Sequence, residues 1–130
     1  MLSELRKPKR VEQVAAWFRS VSPADLFTSV LVMAELRRGS LLVRRRDPVT
    51  ADRLDGWIVE LLAAFEDRVL PISPAVANRW ADLMVPDPIP VIDGLLAATA
   101  LVHDFTLVTR NTKDVARTGV KVLDPFNLSG

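Results

Sequence analysis

An α/β fold, with a parallel sheet between layers of helices, is what this sequence predicts. Three observations lead to it. Short apolar runs, each about four residues, recur at Leu26–Ser29, Val69–Ile72, Thr106–Thr109 and Val120–Leu123. Longer segments of helical period separate them, and strands alternating with helices pair in parallel, because a parallel pair needs a crossover. Apolar residues make up 49% of the 130, enough for one compact domain over 1–130.

The elements follow in order. Residues 11–21 place Val14, Ala15, Trp17, Phe18 and Val21 on one helical face. Ser22-Pro23 breaks that helix, and Leu26–Ser29 reads as a buried strand. A helix resumes near Leu31 and runs toward Arg46, where Asp47-Pro48 stops it. From Val49 to Asp67 the apolar positions Ala51, Leu54, Ile58, Leu61, Leu62 and Phe65 recur at helical spacing, with Asp52, Arg53, Asp55, Glu60 and Glu66 on the other side. Val69–Ile72 is a strand whose Pro71 marks an edge or an end. Pro74–Leu83 is a helix with proline at its start. Pro86–Pro90 is a loop, and Ile92–His103 is the most apolar helix. Thr106–Thr109 and Val120–Leu123 complete the strands. Trp17, Trp57 and Trp80 fall at core-facing positions and read as packing.

Composition narrows the chemistry. There is no cysteine, which removes disulfides and thiolate metal sites, and a single histidine, His103, removes a zinc site built on several His. Any metal must take oxygen ligands, which favours Mg²⁺ or Mn²⁺. The five glycines are not clustered, which argues against a nucleotide phosphate loop. No apolar stretch reaches the roughly 20 residues of a membrane span, and the charged N-terminus does not read as a signal peptide. A cytoplasmic location is expected. Net charge is +1, too small for a surface that coats nucleic acid, although Arg6, Lys7, Lys9 and Arg10, and Arg37, Arg38, Arg44, Arg45 and Arg46, form two basic clusters.

Three polar features stand out from this background. Glu35 interrupts the apolar run Val30–Leu36, and Asp93 opens the apolar helix Asp93–Val102. A carboxylate buried in such a run is costly unless a partner or metal compensates it. The third is the cluster Thr109–Asp114 after the Thr106–Val108 run, where open α/β sheets place their ligands. Structural readings stand beside these. Glu35 has Arg38 or Arg37 as a surface partner, Asp93 suits an N-cap, Asn111 and Asp114 suit a turn or the cap of a short helix, and His103 suits a helix C-terminus. If the acids converge, they can hold a hard divalent cation that activates water against a phosphodiester.

In their order and spacing the segments Leu2-Ser-Glu-Leu-Arg-Lys-Pro8, Ser29 with Ala34-Glu-Leu-Arg-Arg-Gly39, Leu70-Pro71, Asp93-Gly-Leu-Leu-Ala-Ala-Thr99, Leu107-Val-Thr-Arg-Asn111 and Asp124-Pro125 resemble the PIN-domain ribonucleases, specifically the VapC/FitB-like toxins of toxin–antitoxin pairs. The resemblance implies a three-layer α/β/α PIN-like domain, a homodimer, Mg²⁺- or Mn²⁺-dependent RNA cleavage and silencing by a cognate VapB-like antitoxin. It implies Glu35 and Asp93 as metal ligands, a third site residue at Asp114 or Asn111, and Ser29 as a supporting hydroxyl. The apolar face around Trp57 and Phe65, with the arginines after Gly39, is an expected docking surface.

One departure accompanies the match. The family pattern opens with an apolar strand ending in Asp-Thr-Asn-Val, and Met1 stands where that Val would be. The first strand and its acid are therefore expected to be missing, through a start assigned too late or through degeneration. Glu4 does not replace the acid, since it belongs to the following helix. The leading expectation is an Mg²⁺-dependent endoribonuclease toxin. The alternative is a catalytically inactive PIN-like module that binds an antitoxin or dimerises without cutting. A small phosphatase or nucleotide-handling enzyme is a weaker third.

Overall fold

The computed structural model describes residues 20–109 and 112–124, together with Ala16. The helix expected over 11–21 is met at Ala16 and Ser20, both helical. Its other positions through 19, the Leu2–Pro8 motif, the first basic cluster, Asn111 and Pro125 lie outside the described residues. The chain forms two compact units, one of Leu26–Ile72 and one of Met1–Asp25 with Ser73–Gly130.

The unit Leu26–Ile72 comprises β1 (Thr28–Ser29), α1 (Val30–Arg44), α2 (Pro48–Phe65) and β2 (Val69–Leu70). The two strands are parallel, with Thr28 opposite Val69 and Ser29 opposite Leu70. Ser29 turns strand into helix: its backbone is extended, and its Oγ accepts the Leu31 N–H at 3.1 Å. Asp47-Pro48, expected as a stop, starts the next helix. Asp47 accepts the Thr50 N–H at 3.1 Å, and Pro48 takes a first-turn position where no N–H is needed. α1 and α2 pack together, and the small residues Ser40 and Ala51, 1% and 0% exposed, lie between them. After α2, Arg68 donates from Nε to the Leu26 carbonyl at 2.9 Å and from Nη2 to the Ala64 carbonyl at 3.0 Å. It thereby ties the entry of β1 to the end of α2. β2 stops at Leu70, and Pro71, without an N–H, follows it.

The second unit carries α3 (Pro74–Leu83), α4 (Val91–His103), β3 (Leu107–Val108), α5 (Thr112–Val115) and β4 (Val122–Leu123). Ser73 caps α3 by accepting the Val76 N–H at 3.2 Å. α4 packs through small residues, with Ala97 and Ala98 fully buried. The core joins Ala97 and Ala100 to Val115 and Val120, surrounded by Leu83, Leu101, Phe105 and Leu107. His103 lies in the last turn of α4, as expected, and stacks on Phe105 with centroids 5.5 Å apart. β3 and β4 are parallel, with Leu107 opposite Val122. Their crossover runs through α5 and a 3-10 turn, then through Gly119, whose φ of +78° favours glycine. The strands are thus parallel, as expected. Among the described residues they pair as β1–β2 and β3–β4 and not as one continuous ladder. Strands of two residues offer few backbone groups to a second neighbour.

Candidate functional site

Ser29 and Glu35 belong to the β1–α1 junction. Ser29 is 3% exposed, and as the N-cap of α1 its oxygen already serves the Leu31 amide. Glu35 sits in the second turn of α1 and is exposed. This corrects the expectation of a carboxylate buried in an apolar run. The covered row of α1 is Val32, Leu36 and Ser40, and Glu35 falls off it, beside Met33, which is 37% exposed. The desolvation argument therefore does not apply to Glu35. Pairing with Arg37 is also corrected, because Arg37 is ion-paired with Asp55.

Asp93 is half-buried in the first turn of α4. The capping reading is overturned: the N-cap is Pro90, which makes no side-chain cap bond. Asp93 stands two residues into the helix, where the exposed N–H groups and the helix dipole favour negative charge. Asp114 is exposed on α5, the short helix after β3, and α5 packs against α4. Asn111 lies outside the described residues.

Ser29 and Glu35 thus belong to one compact unit, Asp93 and Asp114 to the other. Among the described residues no group of three or more His, Asp or Glu could hold a metal ion. The donors are nonetheless of the right kind for Mg²⁺ or Mn²⁺: all are carboxylate oxygens, two exposed and one half-buried. Such ions are commonly bound by one or two carboxylates, with waters and substrate phosphate completing the shell.

Sequence reasoning missed a polar cluster between α1 and α2. Asp55, expected on the polar side of α2 away from the core, turns to α1. It accepts from the Ser40 hydroxyl and from Arg37 Nη1, both at 2.5 Å, and from Arg44 Nη2 at 2.8 Å. The Ser40 hydroxyl, then Arg37 and Arg44, hold its carboxyl down to about 2. Arg44 also reaches Asp52 at 2.8 Å, and these two carboxylates raise its pKa. The available signal was Ser40, a polar residue in the row otherwise formed by Val32 and Leu36. The tryptophans diverge from their shared expectation as well. Trp57 is 40% exposed, a correction, while Trp80 is half-buried against α4.

A model of the PIN domain matches residues 1–121. The chain belongs to the PIN domain family. Among PIN-domain relatives, the VapC ribonuclease Y4jK of Sinorhizobium fredii is 32% identical over 97% of this chain and 93% of its own length. Toxin FitB of Neisseria gonorrhoeae is 33% identical over 98% of this chain and 94% of its own. A structure of FitAB bound to an IR36 DNA fragment superposes with a TM-score of 0.85 at 30% identity, covering 99% of this chain and 93% of that one. The α/β PIN-like fold expected from the sequence is the fold found. Among the described residues no helix is long and apolar enough to cross a membrane.

Proposed function

We propose that this PIN-domain chain is the toxin of a type II toxin–antitoxin pair, an endoribonuclease that cleaves RNA phosphodiesters with Mg²⁺ or Mn²⁺ in the cytoplasm. The observation that carries the reading is similarity along nearly the whole chain to a protein named as a VapC ribonuclease. Glu35, Asp93 and Asp114 are the acids assigned to the cation. Asn111 orients a water or a phosphate, and Ser29 supports a ligand carboxylate. Bound Mg²⁺ or Mn²⁺ supplies an activated water and neutralises phosphate charge. Asp93 is presented by the first turn of α4, where the helix dipole favours a negatively charged ligand. Glu35 and Asp114, both exposed, are reachable by a polyanionic substrate. The partner is a cognate VapB-like antitoxin, and the toxin acts as a homodimer. The exposed apolar residues Trp57 and Val59 of α2 offer that partner a surface.

The test is cleavage of RNA with Mg²⁺ or Mn²⁺, by this chain and by one preceded by the family's first strand and acid. Cleavage lost with EDTA and in Asp93→Ala supports the reading. Folded protein that cuts in neither form removes the enzyme and leaves the antitoxin-binding module as the better account.

A further inference from the structure

Trp80 of α3 and Gly94 of α4, the residue after Asp93, meet edge to backbone. A Cβ on Gly94 would stand 3.2 Å from both Cδ1 and Nε1 of Trp80, and 3.3 Å from Cγ1 of Ile89. The indole edge therefore leaves a side chain at 94 short of room by a few tenths of an ångström. Ile89, only 8% exposed, closes the other side. The indole N–H is buried and, among the described residues, has no acceptor. A buried donor without a partner is unfavourable, so shape and not hydrogen bonding holds the ring in place. Pro90, the N-cap of α4, makes no side-chain cap bond. The Trp80 edge meets this first turn directly, at Gly94.

We infer that Trp80 is a positioning residue: its indole edge, seated against Gly94 and Ile89, fixes the first turn of α4 and with it the carboxylate of Asp93. The inference rests on the assignment of Asp93 as a metal ligand. Residues that orient a ligand from behind commonly change metal affinity on the order of 10–100-fold.

The experiment measures binding of Mn²⁺ alone to the full chain by calorimetry, with the metal-free melting temperature followed in parallel. The variants are Trp80→Phe, Gly94→Ala, the two combined, and Asp93→Asn. Each of the first two weakens Mn²⁺ binding by on the order of tenfold. The first does so by leaving slack, the second by crowding. The double variant regains affinity, because the new methyl occupies the space the smaller ring gives up. Single variants that melt lower yet bind Mn²⁺ as the parent does would overturn the inference and leave Trp80 as packing alone. If Asp93→Asn does not weaken Mn²⁺ binding, the assignment of Asp93 fails and the inference fails with it. Should Gly94→Ala not fold, hydrogen exchange in Trp80→Phe decides. The Gly94 amide bonds the Pro90 carbonyl at 2.9 Å. It exchanges faster in the variant if the ring fixes this turn, and unchanged exchange overturns the inference.

Discussion

Asp55 gathers a hydroxyl and two guanidinium groups from the neighbouring helix. Its pKa in the fold is about 2 against an ordinary 3.8, so folding favours its ionised form. The stability it contributes is fully present above 3.8 and fades as pH falls from there through about 2. Melting curves of the parent and Asp55→Asn should therefore lie apart at neutral pH and converge across that window. Curves equally spaced at all pH values would show that the carboxylate's charge is not what matters. Arg68 illustrates geometry over charge. Its Nε and Nη2 serve two carbonyls at once, and its guanidinium lies 6.0 Å from the Phe65 ring centroid. Arg68→Lys keeps the charge and loses the fork. It should cost about 1 kcal/mol in denaturant unfolding.

At the scale of elements, helix starts were readable and sheet pairing was not. Pro74–Leu83 has the bounds the sequence predicts, because proline at a helix start is a local signal that needs no tertiary partner, and the structure adds Ser73 as its cap. Ser73→Ala should lower stability by about 1 kcal/mol through loss of that cap, measured by denaturant midpoint. Asp47-Pro48 was equally visible, but its sense depended on which side the next helix lay. α4 shows the opposite limit. Its apolar character was obvious, yet the close packing that leaves Ala97 and Ala98 no exposed surface depends on neighbours distant in sequence. Ala97→Leu should overpack this face and cost roughly 1–3 kcal/mol. A variant as stable as the parent would show that the α4 contacts are looser than their burial implies.

For the whole molecule, the PIN-domain match over residues 1–121 embraces both compact units. If its acids hold a divalent cation, metal binds the folded chain and not the unfolded one, so stability rises with metal concentration. Mn²⁺ at a hundredfold excess over its dissociation constant should stabilise the chain by about 2.7 kcal/mol. EDTA should reverse the gain, and Asp93→Asn should abolish it at the same concentration. A melting temperature indifferent to Mn²⁺ would remove the metal from the account of this chain.

The order of strands and helices, the absence of thiolate ligands and the family resemblance, carried by Ser29, Glu35, Asp93 and Asp124 standing in order, are all legible in the amino-acid chain. These are local or serial properties: caps, periodicity and spacing are written within a few residues. Packing between distant segments settles the rest: Glu35 is exposed, Asp55 and not Glu35 engages Arg37, and Trp57 and Trp80 differ in burial. Packing also decided that Trp80 sits where a side chain at position 94 would stand. A helical period shows which residues share a row, but which row is covered depends on what packs against it. That neighbour lies elsewhere in the chain.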